Sequence, residues 1–277
     1  MAPTAPHETP AFVDIHCHLL PGIDDGSRSW EESLAMAQQM VDDGTDTVTV
    51  TPHQLGNYTA TTGQTIRHRT HQLQQWLNAN GVQLQVLPGA DVRIDSDMID
   101  RLRSGDCLSL ADRRRHVLLE LPHELYQPLE PVLEQLDRIG MVGILSHPER
   151  NRGIMRQPQV IESLVRAGCL MQVTADSFVG EFGNEPEQLG RYIVENGWCH
   201  FLATDAHGSK KRPPRLRRAF ELAEQLVGRP LAEAMCCDNP RAVAEGRDID
   251  ALPAVRTNSN SGWLQQAAGF LFGRRAA

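Results

Sequence analysis

Short runs of Val, Ile, Leu and Thr punctuate the chain at residues 11–16, 45–51, 82–87, 116–121, 141–145, 169–174 and 199–204. Each is the length of a buried strand. Between them the apolar positions recur at the three- and four-residue spacing of helices, over 29–43, 65–79, 129–139, 159–167, a stretch ending at Asn196, 214–227 and 231–235. Ser29 followed by Glu32 reads as a capping box, Leu34, Ala37 and Val41 as that helix's apolar stripe, and Gly44 as its stop. Residues 94–115 fit neither pattern cleanly and read as irregular, partly helical chain with a turn at Ser104-Gly105-Asp106; 177–185 reads as a loop. Strands alternating with helices of this length predict a parallel sheet. Seven such units predict an α/β fold that closes as a (β/α)7 barrel, with a doubly wound open sheet as the rival.

In α/β barrels the chemistry sits where the strands end. Here the first run ends in His16 and His18, the second in His53, the third in Asp91, the fourth in Glu120, the fifth in His147 and the seventh in Asp205 and His207. Residues two apart on a strand share a face, so His16 and His18 can reach one ion while Cys17 points the other way. Asp25, in the loop after the first run, can join them. A single His or Asp after a strand is ordinarily a cap or turn residue, but their recurrence at six of seven strand ends points to one site. Five histidines and up to four carboxylates exceed the needs of one metal and suit two or three divalent ions with mixed nitrogen and oxygen ligands. Arg150 and Arg212, close behind His147 and His207, add guanidinium forks that match a phosphate.

Composition narrows the field from there. A formal net charge of -8 argues against a nucleic-acid partner held by phosphate contacts. Six scattered cysteines show no Cys-x-x-Cys spacing and read as reduced thiols of a cytoplasmic protein. No cysteine has an arginine six residues on, and no Gly-x-Ser-x-Gly elbow occurs. That leaves metal-activated water as the nucleophile. Residues 1–10 read as a flexible N-terminal tail, 11–250 as the catalytic barrel, and 251–277 as a polar linker with an amphipathic C-terminal segment, Trp263 to Arg275, that could lie on a membrane surface.

The run Asp-Ile-His-Cys-His-x-Leu-Pro-Gly-Ile-Asp-Asp-Gly (14–26), Thr-Pro-His ending at His53, Ser-His-Pro-Glu-Arg (146–150) and Thr-Asp-Ala-His (204–207) together resemble the polymerase-and-histidinol-phosphatase (PHP) superfamily. The 20–26 run, Gln-Val-Thr-Ala (172–175), Phe182-Gly183 and Arg212-Pro213-Pro214 resemble its CpsB/CapC/YwqE-type bacterial protein-tyrosine phosphatases. The resemblance covers about residues 12–245. It implies a distorted seven-stranded barrel and a trinuclear site, most often of manganese, with Co2+, Fe2+, Zn2+ or Mg2+ as other candidates. It implies hydrolysis of phosphotyrosine on a partner protein, typically a membrane tyrosine autokinase that controls capsule or exopolysaccharide synthesis. The ligands it implies are His16, His18, Asp25, His53, Asp91, Glu120, His147, Asp205 and His207. Arg150 and Arg212 match its phosphate-contacting arginines, and Asp205 and His207 are counted with them as catalytic. Two positions depart from the pattern: Asp91 stands where the family usually has Glu, with about 1.5 Å less reach, and Gln54 stands where many members have a second His. A small-molecule PHP phosphatase of the histidinol-phosphate type and a non-catalytic metal-binding regulator of the kinase are the alternative readings.

Overall fold

The computed structural model describes residues 11–249. The expected N-terminal tail and the amphipathic segment after residue 250 lie outside them. Nine strands occur among the described residues: β1 (Phe12–Cys17), β2 (Thr45–Val50), β3 (His53–Gln54), β4 (Gln85–Pro88), β5 (Asp91–Arg93), β6 (His116–Glu120), β7 (Val142–Ser146), β8 (Leu170–Thr174) and β9 (Phe201–Ala203). All pair in parallel, β1-β2-β4 in one ladder and β3-β5-β6-β7-β8-β9 in another.

The nine strands make seven staves. Pro52 has no N–H to give the ladder, and the chain is interrupted there between β2 and β3; Pro88-Gly89 interrupts β4 and β5 in the same way. The two broken staves stay in step because the Asp91 N–H reaches the Pro52 carbonyl at 3.2 Å. The ring closes between β9 and β1. The Asp205 N–H donates to the His16 carbonyl at 2.7 Å, the His18 N–H to the Ala206 carbonyl at 2.9 Å, and the Thr204 N–H to Asp14 Oδ1 at 3.1 Å. The expected seven-stranded α/β barrel is therefore the observed one, and an open sheet is ruled out by that closure. The third strand begins later than expected, at Gln85, and Asp91 opens its own short strand rather than ending the longer one.

Two apolar layers hold the barrel. Inside, Val13, Ile15, Leu118, Ile144, Phe201 and Ala203 pack together, closed off by Leu110, Val243 and Ala244. Outside, the helices cover the staves with a larger layer that includes Phe12, Met36, Leu73, Leu136, Phe178 and Ile193. The helix Trp30–Asp43 begins and ends as its sequence predicts. Ser29 Oγ accepts the Glu32 N–H, and Gly44 caps in the left-handed region at φ 105°. Only half of the capping box forms, because the Glu32 carboxylate takes the Arg28 N–H instead of reaching Ser29. Its buried face is Ser33, Met36, Ala37 and Met40, with Leu34 and Val41 at its margins. A short helix, Ala175–Phe178, runs into the start of the expected 177–185 loop, and the last helix among the described residues, Asn239–Glu245, has no counterpart in the sequence reading. All six cysteines are buried and unpaired, Cys17 in the outer layer. Among the described residues no helix is long and apolar enough to cross a membrane.

Candidate metal centre

A register shift in β1 aims the first two histidines. From Asp14 to Cys17 the strand takes three steps while β2 takes two, from Val48 to Val50. This extra residue is a β-bulge. It lets adjacent Ile15 and His16 both face inward, Ile15 into the inner core and His16 into the donor cluster above it. The remaining donors arrive on other staves. His53 and Asp91 stand opposite each other on β3 and β5, and Glu120 ends β6. His147 and Asp205 leave β7 and β9 with left-handed backbones, φ 35° and 50°, and Arg212 has φ 54°. Non-glycine residues held there cost about 1–3 kcal/mol each. That three of them border one site ties the strain to its geometry.

The structure brings all nine expected donors together in overlapping groups: His18, Asp25, His53 and His207; His16, His18 and Asp91; His16, His147 and Asp205; His53, Asp91 and Glu120. The spacings are those of long hydrogen bonds and equally suit ligand atoms around shared ions. His16 Nε2 lies 3.3 Å from Asp205 Oδ1 and 3.7 Å from Asp91 Oδ2; Asp25 Oδ1 lies 3.5 Å from both His53 Nε2 and His207 Nε2. Adjacent ligand atoms about 2.1 Å from a metal are separated by about 3.0–3.4 Å.

The tautomers point the same way. His16 Nδ1 lies 2.8 Å from Gln172 Oε1, which also faces the His147 N–H, and His18 Nδ1 lies 2.7 Å from the Asp24 carboxylate. Both partners are acceptors, so both Nδ1 atoms carry the proton and both Nε2 atoms present lone pairs. Those two Nε2 atoms face each other at 3.3 Å. Two lone pairs at that distance call for a cation between or beside them. Both Asp91 oxygens and His53 Nδ1 are buried without a hydrogen-bond partner among the described residues, an expensive arrangement that divalent ions would relieve. The donor set therefore fits such ions.

Electrostatics are consistent with this. Burial pushes His18 down to about 4 and His147 down to about 3, keeping both neutral with lone pairs available. For His53, burial alone would lower the imidazole, but Asp25, Asp91 and Glu120 around it raise it to about 11. Hydrogen bonds from His207 and His53 hold the Asp25 carboxyl well below the usual carboxylate range. Burial, with Asp91 nearby, raises Glu120 to about 7.

Arg150 and Arg212 converge on one oxygen, Asp205 Oδ2, each at 2.5 Å. Both guanidinium groups lie over the Phe182 ring, 4.7 and 5.6 Å from its centroid. The Glu149 carboxylate accepts the Thr174 N–H at 3.1 Å and so ties the turn carrying Arg150 to the end of β8; burial pushes that carboxyl up to about 7.

Several side chains of the site have roles that the sequence reading does not assign, although Asp24, Gln172 and Phe182 stand within the motifs of the family resemblance. Asp24 is one: its neighbour Asp25 faces the histidines, while Asp24 braces His18 from behind and also accepts the His53 N–H at 3.1 Å. Gln172 braces His16, Phe182 floors the arginines, and Tyr58 stacks on His53 with centroids 5.1 Å apart. The Asp-Asp pair, a polar residue inside an apolar strand, and Phe-Gly before a helix were the available signals. Gln54 is not among the site's contacts. Its amide donates to the Thr61 and Asp106 carbonyls and accepts the Leu108 N–H, knitting two loops together.

Known proteins match this chain along nearly the whole described length. It is 33% identical to the tyrosine-protein phosphatase YwqE of Bacillus subtilis over 79% of this chain and 87% of that one. It is 25% identical to the tyrosine-protein phosphatase CpsB of Streptococcus pneumoniae over 84% and 98%. Crystal structures described as those of YwqE from Bacillus subtilis and CpsB from Streptococcus pneumoniae, unique metal-dependent tyrosine phosphatases, include a chain that superposes with a TM-score of 0.82 at 31% identity, covering 88% of this chain and all of that one. The family described as capsular polysaccharide synthesis, CpsB/CapC, matches residues 12–245, and the chain belongs to it.

Proposed function

We propose that this chain is a metal-dependent phosphatase that hydrolyses phosphotyrosine on a protein, its partner being a membrane tyrosine autokinase of capsule or exopolysaccharide synthesis. The observation that carries the reading is the pair of arginines on Asp205. Two cations share one carboxylate at the edge of a donor cluster, where an incoming phosphate dianion can take that carboxylate's place. The family, and the tyrosine-phosphatase activity for which YwqE and CpsB are named, support tyrosine as the alcohol.

In this reading His16, His18, Asp25, His53, Asp91, Glu120, His147, Asp205 and His207 hold two or three divalent ions, with Mn2+ the first candidate. Such ions supply Lewis acidity and acidify water. Arg150 and Arg212 orient the phosphoryl group and stabilise the charge that spreads over its equatorial oxygens. Phe182 keeps both guanidinium planes in place, and Gln172 and Asp24 fix the imidazole tautomers. Phenolate is a good leaving group, so the chain needs no strong general acid beside it.

The test is phosphate release from a tyrosine-phosphorylated peptide and from histidinol phosphate by metal-stripped protein, with Mn2+, Co2+, Zn2+ or Mg2+ added back. Metal-dependent release from the peptide supports the proposal. Release from histidinol phosphate alone would move the chain to small-molecule substrates, and release from neither would leave a metal-binding regulator.

A further inference from the structure

Beyond Phe182 the cationic wall of the site runs on into a groove of about 340 Å³. Ala175, Val179 and Pro213 give it an apolar floor, and Lys210, Arg215 and Arg218 stand on its rim. Phe182 and Arg212 belong to the groove and to the arginine pair alike, so a chain whose phosphoryl group reaches those arginines has its neighbouring residues at the groove's mouth. The volume is at the small end of ligand sites, about 300–1,000 Å³. That is room for a side chain and a little backbone.

Charge selects the occupant. Arg218 is paired with Glu181 and Arg212 with Asp205. Lys210 and Arg215 are exposed, and among the described residues neither has a carboxylate within 4.0 Å. The groove's other acid, Asp176, is pushed up to about 6 by burial and by Glu181 beside it and still carries its charge near neutral pH, but Arg212, Arg215 and Arg218 all act on it, so the cations of this face outnumber its acids. The whole chain carries a net charge of -8, so an acidic peptide is repelled by most of the surface and drawn to this face.

We propose that the groove is a specificity subsite for an acidic side chain, Glu or Asp, flanking the phosphotyrosine of the substrate, with Lys210 and Arg215 as its cationic rim. The proposal rests on the phosphotyrosine-protein reading. Its effect is to favour one orientation of the substrate chain across the arginines and to lower KM for acidic sequences, with kcat little changed.

The experiment compares kcat/KM of the Mn2+-loaded protein on three peptides that share one phosphotyrosine and carry Glu, Gln or Lys at the flanking positions, with p-nitrophenyl phosphate as the reference. The expected order is Glu, then Gln, then Lys, and raising NaCl from about 0.05 to about 0.5 M compresses it as the Debye length shrinks. The double variant Lys210→Ala/Arg215→Ala is expected to lower kcat/KM on the Glu peptide about three- to tenfold through KM and to leave p-nitrophenyl phosphate turnover unchanged. Lys210→Glu/Arg215→Glu is expected to transfer the preference to the Lys peptide. Equal rates on all three peptides would overturn the subsite and leave the phosphatase reading standing. Release from p-nitrophenyl phosphate with no release from any peptide would overturn both.

Discussion

At the scale of single residues, Asp24 and Asp25 are the instructive pair. They are adjacent and chemically identical, and the loop gives them different work. Asp25 Oδ1 faces His53 and His207, whereas Asp24 Oδ2 accepts a hydrogen bond from the His18 Nδ1–H at 2.7 Å. A carboxylate behind an imidazole fixes its tautomer and raises its basicity as a ligand, and removing such a partner typically costs 10- to 100-fold in metal affinity. Asp24→Asn keeps an acceptor oxygen but loses the charge. The Mn2+ concentration giving half-maximal activity is expected to rise by about 10- to 100-fold, with turnover at saturating Mn2+ much less affected. An unchanged Mn2+ requirement would reduce Asp24 to a loop tie through its bond from the Gly26 N–H. The strand-end donors were legible because each follows a run of apolar residues closely enough to be placed at the barrel mouth. The bracing residues were not, since nothing local distinguishes Asp24 from Asp25. Gln172 stands in a motif of the family resemblance, but its work on His16 is visible only once the fold sets the two side by side.

At the scale of elements, strand number and direction followed from the alternation of patterns, because each apolar run had to be buried on both faces. What periodicity could not show was where the ladder breaks. The bulge in β1 and the interruptions at Pro52 and Pro88-Gly89 arise from pairing between strands distant in sequence. They decide that His16 faces inward and that Asp91 opens its own strand. The loop after β1 is the tightest element at the site. A Cβ on Gly26 would lie 2.3 Å from the His18 carbonyl oxygen and 2.4 Å from its Cβ. The next residue's N–H is hydrogen-bonded to that same carbonyl at 3.0 Å, so the loop has little freedom to retreat. Gly26→Ala is therefore expected to displace either His18 or the segment carrying Asp24 and Asp25. Mn2+ titration should show the affinity falling at least as far as in Asp24→Asn, with far-ultraviolet circular dichroism little changed, because the one helix bonded to this loop, Trp30–Asp43, keeps its own cap at Ser29 and its buried face. Wild-type Mn2+ affinity in Gly26→Ala would mean that the loop relaxes without moving its carboxylates.

At the scale of the whole molecule, the metal-free barrel carries the cost of packing its own ligands. Asp91 and Asp205 are buried, and Glu120 and His53 largely so, with repulsion softened by a proton on His53 and by the two arginines on Asp205. The sign of the pH effect follows from His53. Its imidazole is raised in the folded chain from 6.5 to about 11, so its contribution to stability is fully present below 6.5 and is lost as pH rises through 11. At pH 8 the metal-free chain therefore holds a proton that a ligand nitrogen must give up when a divalent ion binds. Mn2+ binding at pH 8 is expected to release about one proton at this residue, read by calorimetry in buffers of differing ionisation enthalpy. Binding to the folded state alone at 100 times Kd adds about 2.7 kcal/mol. For a barrel of this size that raises Tm by about 5–10 °C, and a chelator should reverse it. His53→Gln removes the titrating nitrogen and is expected to abolish the proton release at that position while leaving a smaller thermal shift from the remaining ligands. Proton release unchanged in His53→Gln would assign the titration to another group of the cluster, and an absent thermal shift in the wild type would mean that the donors do not hold an ion at all.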